Sequence, residues 1–234
     1  MTTRLAIVGM GKMGRAIEQL ATERDCKVVA RLDLPETSQG ITKAMLNGAD
    51  VAIEFTTPAS AAANIRSLIE AGVPTVVGTT GWYDALPAIS GLVATQKGAL
   101  LTATNFSLGV NAFEAILAQA AAILAKTGGF DAHMVELHHS AKKDAPSGTA
   151  HTLEKAAATS WGRSIPITSV RTGSIPGTHE VIFDAPFETI RLVHVARDRR
   201  VFAEGAIVAA KWIVGKRGVF TMKDVIQSDG RTNG

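Results

Sequence analysis

The sequence predicts an α/β chain in two parts: a parallel sheet covered on both faces, then an α+β domain built on a mixed sheet. Three observations carry this expectation. The first hundred residues alternate short β-branched runs with helical stretches, the pattern of strands joined by crossover helices. After Asn105 strands follow one another without helices between them, which favours a mixed or antiparallel sheet. Glycine is frequent at 22 residues while aromatics make up only 5%, a balance that suits an alanine- and valine-rich α/β protein better than a β-sandwich.

Taken in order, "RLAIVG" is a buried-strand run and "KMGRAIEQLATERD" has helical periodicity. "KVVARLD", "VAIEF", "TVVG" and "ALLTAT" then read as strands, separated by helical stretches such as "PASAAANIRSLIEAG". The stretch "SLGVNAFEAILAQAAAILAKTG" predicts a long helix that stops at the Gly128–Gly129 pair. "FDAHMVELHH" alternates as a strand, and "GTAHTLEKAAATSW" is a second helix. "ITSVRTG", "HEVIFDA" and "ETIRLVHVAR" are three further strands of period two. The tail reads as a helix, a turn and a short helix. The expected division is a first domain over 1–105, a second over 106–212, and residues 213–234 returning to the first.

The 234 residues are 46% hydrophobic and 19% charged, enough apolar matter for a real core. The most apolar stretch, "AFEAILAQAAAILA", carries polar residues at helical spacing and reads as too short to span a bilayer. The N-terminus runs straight into a strand, with no signal-peptide pattern. The single cysteine, Cys26, excludes an internal disulfide and points to a reducing cytoplasm. A net charge of +3 with scattered cations favours an anionic small molecule over nucleic acid.

"IVGMGKMG" places Gly9, Gly11 and Gly14 in GxGxxG spacing, with Met10, Lys12 and Met13 between them. The first glycine permits a tight turn, the second lets a pyrophosphate approach the backbone, and the third lets the helix sit close to the strand. Alone the pattern is weak, but here it follows a strand and opens a helix, and Asp33 ends the next strand where a ribose-binding carboxylate belongs. Asp33 favours NADH over NADPH, although Arg31 and Lys12 stand near enough in sequence to tolerate a 2′-phosphate. "VVGTTGW" (Gly78, Thr79, Thr80) and "TATNFS" (Ala103, Thr104, Asn105, Phe106) also follow strands, so both are candidate cofactor loops.

The stretch "ELHHSAKKDAPSGTA" gathers proton carriers and cations before a helix. Neighbouring side chains of an extended segment point to opposite sides, so His138 and His139 do different jobs. Lys142 adds an ammonium, and the helix opening at Pro146–Ser147 offers the N–H groups of Gly148 and Thr149 to an anion. Such a set would bind a carboxylate and pass a proton to an atom gaining electrons. A metal site among His133, Glu136, His138 and His139 lacks the spacing of a helical zinc site, and none is expected. Arg171, His179, Arg197, Arg199 and Arg200 are further candidates for a carboxylate contact.

At these residues the chain resembles the 4-hydroxy-tetrahydrodipicolinate (dihydrodipicolinate) reductase family. The resemblance runs nearly end to end, through "GKMG", "GTTG", "ATNFSLGVN", the histidine-lysine stretch, "RTGSIPGTHEVIF", "FAEGA" and "GVFTMKDVI". It implies a Rossmann-like N-terminal domain and a mixed-sheet C-terminal domain that holds substrate and builds a homotetramer. It also implies reduction of a cyclic imine dicarboxylate by NADH or NADPH, in diaminopimelate and lysine biosynthesis. Position by position, His138 resembles the family's proton donor and Lys142 its catalytic lysine. His139, Gly148, Thr149 and Arg199 resemble substrate contacts, and Gly78 to Thr80 with Ala103 to Phe106 resemble the cofactor loops. The glycine loop is one residue shorter than is usual in that family. Rival oxidoreductases fit less well: a semialdehyde dehydrogenase needs a nucleophilic cysteine beyond the cofactor domain, and a short-chain dehydrogenase needs a lysine four residues after its tyrosine. Cys26 lies too early, and Tyr83 is followed at that distance by Pro87. A cofactor-sensing regulator would need a nucleic-acid-binding element, and the sequence offers none that convinces.

Overall fold

A computed structural model describes residues 2–228; Met1 and residues 229–234, which the sequence reading assigns to the first domain, lie outside them. The chain divides into two compact units, Met1–Leu108 with Arg200–Gly234, and Gly109–Arg199. The first unit begins with β1 (Thr3–Val8), α1 (Lys12–Ala21), β2 (Cys26–Leu32), β3 (Val51–Glu54) and α2 (Pro58–Glu70). It continues through β4 (Thr75–Val77), α3 (Leu86–Thr95) and β5 (Ala99–Thr102). The second unit contains α4 (Leu108–Thr127, from its second residue on), β6 (Asp131–His138), α5 (Gly148–Trp161), β7 (Ile167–Arg171), β8 (Thr178–Ala185) and β9 (Glu188–Val195). The chain then returns to the first unit with α6 (Arg200–Ile213), β10 (Gly218–Phe220) and α7 (Met222–Gln227).

The first sheet is wholly parallel, in the order β10-β5-β4-β3-β1-β2. β3, β4 and β5 are buried along their whole length, because helices cover both faces and leave no wet side. From β1 the chain steps outward to β2, and from β3 it steps the other way through β4 to β5. This reversal opens a crevice at the carboxyl ends of β1 and β3, where open α/β sheets bind their ligands.

Two features of the tail correct the sequence reading. The helix α6 belongs to the first unit, not the second: Ala203, Ala206, Ile207, Ala209, Ala210 and Ile213 are buried with Leu5, Ile7, Ile17 and Leu101. Arg24 and Glu204 pair at 2.7 Å, and Lys211 donates to the Arg24 carbonyl. The expected turn after this helix contains β10, which extends the sheet beside β5.

In the second unit β6 pairs in parallel with β7 and antiparallel with β8, and β8 pairs with β9, giving the mixed sheet. Alternation along β6 turns Ala132, Met134, Glu136 and His138 to the covered face. Phe113, Leu117, Ala121 and Leu124 of α4, spaced four, four and three apart, pack on that face with Leu153 and Phe183. At 20 residues α4 matches the predicted long helix, but with a mean hydropathy of 1.6 it is by length and composition able to cross a bilayer, against the expectation that its apolar run is too short. One stripe of it is buried on the sheet, while Ile116 and Ile123 stand exposed. It stops at Thr127, where Gly128 takes up φ of 74°.

Candidate active site

In the first unit the loops singled out from sequence gather at one end of the sheet. Gly9 adopts φ of 94°, and a Cβ there would stand 2.1 Å from the Phe55 carbonyl oxygen. A Cβ at Gly14 would meet the Gly9 carbonyl oxygen at 2.1 Å, so α1 lies hard against the strand that precedes it. Gly11, the N-cap of α1, has nothing within 4 Å of a built Cβ. A tight turn, an open middle position and a close helix are the arrangement a pyrophosphate needs. The Asp33 carboxylate follows β2 and accepts from the Met10 N–H and the Leu34 N–H, both at 3.0 Å, which ties it to this loop. Arg31 does not turn to that site; its Nε holds Glu18 at 2.5 Å.

Gly78, Thr79 and Thr80 follow β4, and Ala103 to Phe106 follow β5, at the same edge. Thr79 is buried: its hydroxyl accepts from the Thr56 N–H at 2.7 Å and its carbonyl from Trp82 Nε1 at 2.8 Å. The Phe106 ring is buried against Phe55, with centroids 5.6 Å apart.

Sequence reading missed the loop after β3, Phe55–Thr56, around which the others are assembled. A Cβ on Gly78 would strike the Phe55 ring at 2.0 Å, and Gly9 faces the Phe55 carbonyl. The Thr56 hydroxyl donates to Glu54, a buried carboxyl whose pKa burial pushes up. The signal was available: "VAIEFTTP" is one more strand run ending in a polar turn, as "VVGTTGW" is.

In the second unit His138 and His139 part company as expected. His138 is buried at the end of β6, and its Nδ1 meets the Oε2 of Glu136, two residues back on the same face. His139 turns outward, and Arg199 donates to its Nε2 at 3.0 Å. His133 faces the other side of β6 and bonds the Thr168 hydroxyl. Lys142 is paired with Asp144 at 2.7 Å, a partner the sequence reading did not foresee. Ser147 caps α5, its hydroxyl accepting from the Ala150 N–H at 3.1 Å and meeting His179 Nε2 at 3.2 Å. Gly148 and Thr149 open that helix, where first-turn N–H groups point back along the axis.

Arg171 was a candidate carboxylate contact; the structure gives it to Glu136 and to the Asp144 carbonyl, both at 2.6 Å. Burial alone would raise the Glu136 carboxyl, but hydrogen bonds from Arg171 and His138 bring it down to about 2. His138 lies below the usual histidine range because burial opposes its charged form, and the Lys142 and Arg171 cations add to this against the pull of Glu136. Glu136, His138 and His179 offer ligand atoms within 4.8 Å of one another. Both Glu136 oxygens are already engaged, so the cluster is a hydrogen-bonded charge network.

His179 makes that network sensitive to acid. Burial, with the neighbouring His138, pushes it down to about 4. A depressed histidine favours the fold while both states are neutral, and that advantage is lost as pH falls from 6.5 through about 4, because the unfolded chain takes up its proton first. The loss should be on the order of 3 kcal/mol. Thermal unfolding of the wild type should therefore weaken steeply across this window, and His179→Gln should flatten the decline. Equal slopes in both proteins would refute it.

Two family models match the chain: dihydrodipicolinate reductase, N-terminus, over residues 3–106, and dihydrodipicolinate reductase, C-terminus, over 109–226. The chain is 35% identical over 234 residues to the 4-hydroxy-tetrahydrodipicolinate reductase of Christiangramia forsetii, an alignment covering 95% of this chain and 97% of that one. It is 34% identical to the enzyme of that name from Thiobacillus denitrificans, over 97% of this chain and 99% of the relative. Among solved structures it is similar to a dipicolinate-bound dihydrodipicolinate reductase from Paenisporosarcina sp. TG-14. The TM-score is 0.82 at 23% identity, covering 94% of this chain and 98% of that chain. An engineered D-amino acid dehydrogenase bound to NADP+ shares the fold at a TM-score of 0.56 and 14% identity, over 99% and 98% of the two chains.

Proposed function

Because the chain belongs to the dihydrodipicolinate reductase family, we propose that His138 is the proton donor of its reaction, with Lys142 beside it and the opening turn of α5 as a carboxylate site. The enzyme reduces 4-hydroxy-tetrahydrodipicolinate to tetrahydrodipicolinate with NAD(P)H, a step of diaminopimelate and lysine biosynthesis. The observation that carries the assignment of roles is the gathering, in one unit, of His138 on its buried Glu136, Lys142 and the α5 N-terminus.

The open Gly11, the first turn of α1 and the Asp33 carboxylate fit a dinucleotide. Gly9 to Gly14 (with Met10, Lys12 and Met13) would hold its phosphates, and Gly78 to Thr80 with Ala103 to Phe106 would hold its nicotinamide half. When bound, the nicotinamide supplies the hydride. On the substrate side, Gly148 and Thr149 bind one carboxylate through their N–H groups, and His139 with Arg199 receives the other. The substrate loses its 4-hydroxyl as water to give a conjugated ring; hydride then adds to a ring carbon, the displaced electrons move toward the ring nitrogen, and His138 gives up the proton that completes the reaction.

The same reading makes NADH the preferred cofactor. A 2′-phosphate beside Asp33 would face a carboxylate, and the next residue, Leu34, is 67% exposed and carries no charge. Arg31 is engaged by Glu18. Leu34→Arg should raise kcat/KM with NADPH relative to NADH by about tenfold, the worth of one modest phosphate contact. Steady-state rates with substrate generated in the assay, run with each cofactor separately, check both the reaction and the preference. No oxidation of either cofactor would overturn the function; wild-type preference for NADPH would overturn the cofactor reading.

A homotetramer in the cytoplasm completes the proposal. Val193 and Val195 stand exposed on the outer side of β9, and Phe187 is fully exposed at the β8–β9 turn, which supports self-association through this sheet. Cys26, the lone cysteine, is buried and free, in keeping with that compartment.

A further inference from the structure

We propose that Glu136 is a positioning residue for the reduction: held from behind by Arg171, it fixes His138 in the form that carries a proton on Nδ1 and leaves Nε2 to face the substrate. The proposal rests on the reading of His138 as the proton donor.

Glu136 lies inside the second unit with no exposed surface, and its two oxygens are divided. Oε2 meets His138 Nδ1, while Oε1 accepts from Arg171 Nη2 at 2.6 Å and from the Ser147 N–H at 3.3 Å. A carboxylate only accepts, and Arg171 beside it keeps Glu136 ionised, so the imidazole nitrogen facing it must bear the hydrogen. Neutral His138 is then protonated on Nδ1 with a lone pair on Nε2, and the imidazolium carries its second proton on Nε2. That atom lies beside Gly177, where a side chain would crowd it: a built Cβ would come within 3.0 Å. His179 sets the tilt of the ring, edge-on to it with centroids 5.3 Å apart, and is itself held by the Ser147 hydroxyl.

The proton step balances on this arrangement. The Nε2–H bond of the imidazolium breaks, its electron pair stays on Nε2, and the proton goes to the reduced substrate. His138 is left neutral with Nδ1–H still donated to Glu136, and solvent restores the Nε2 proton. A stable protein does not need this network, since well-packed apolar residues often replace a buried ion pair without loss. Orientation of the imidazole is what the network provides.

The charged and titratable groups facing His138 are Glu136 on β6, Arg171 on β7, His179 on β8 and Lys142, paired with Asp144, in the loop. Of these only Glu136 favours the imidazolium. In Glu136→Gln, Arg171 and the Ser147 N–H hold the amide oxygen, so the amide NH2 faces Nδ1. Nδ1 must then accept, and the neutral ring carries its hydrogen on Nε2 instead. With the carboxylate gone, the imidazolium also becomes harder to form.

The test uses the full chain labelled with 15N-histidine, with His138→Gln to assign the His138 signals. In the wild type at neutral pH, His138 should be protonated on Nδ1; in Glu136→Gln it should be protonated on Nε2. In the same variant kcat should fall by about ten- to a hundredfold with KM for both substrates little changed. The pH above which kcat declines should move down by about one unit. A wild-type tautomer with the hydrogen on Nε2 overturns the proposal, and that measurement needs no variant to fold. So does a Glu136→Gln protein that loses thermal stability but keeps both its tautomer and its pH profile, the result of a merely structural role. If His138→Gln abolishes turnover while Glu136→Gln behaves like wild type, only the positioning role fails. Full activity in His138→Gln removes the underlying assignment.

Discussion

His138→Gln lowers kcat by about a hundred- to ten-thousandfold, the range in which a positioned general acid contributes, and leaves NADH affinity within about twofold. The glutamine fills a similar volume, and its amide can still donate to Glu136 in place of Nδ1, so the buried carboxylate keeps a partner. What disappears is the group able to hand over the proton. The glycine loop, Asp33 and the loops after β4 and β5 all belong to the other compact unit, so the substitution removes nothing from them. Single-turnover rates and fluorescence titration with NADH separate the two effects. Equal losses in both, or a loss in neither, would refute the assignment of His138 as the acid.

Gly205→Ala is the second large effect, and it falls on stability. Gly205 sits in the middle of α6, where alanine is ordinarily the better helix former by about 1 kcal/mol. Here a Cβ would stand 1.7 Å from the Phe106 carbonyl oxygen and 2.8 Å from its carbon, both backbone atoms that cannot swing aside. The helix must therefore lift from the loop after β5, and the buried residues around it, including Ala206, Ile207 and Ala209, lose their fit. Overpacking of this kind costs about 3 kcal/mol, which for a chain of this size lowers Tm by roughly 10 °C. Differential scanning calorimetry reads it directly; an unchanged or higher Tm would mean that α6 does not lie where Gly205 meets Phe106. The loop after β5, proposed to hold the nicotinamide half of the cofactor, shares the damage, so KM for NADH should rise as well.

Neither of these positions was equally visible in the sequence. His138 stood in a stretch dense with chemistry, and its opposition to His139 followed from strand alternation alone. Gly205 lies within "FAEGA", where nothing local in the sequence explains the glycine. The reason is a contact between residues 99 positions apart, which no local pattern reports. Arg171 illustrates the same limit: as a cation beside a strand it was a fair candidate for a substrate carboxylate, and only the pairing of β6 with β7 shows that it faces Glu136 instead.

Local physics was enough for the elements themselves. Period and composition gave the strands and helices of the parallel sheet, the glycine stop of α4, the capped start of α5 and the mixed character of the second sheet. These depend on backbone hydrogen bonding, side-chain alternation and turn chemistry, all encoded within a few residues. The tertiary structure decided which sheet received α6, that a three-residue run after it became a sixth parallel strand, and which partners Glu136, Lys142 and Arg171 would take. An apolar helix face or a charged side chain states only that it must be covered or paired. What covers or pairs it is chosen by the whole chain at once, through contacts between segments far apart in sequence.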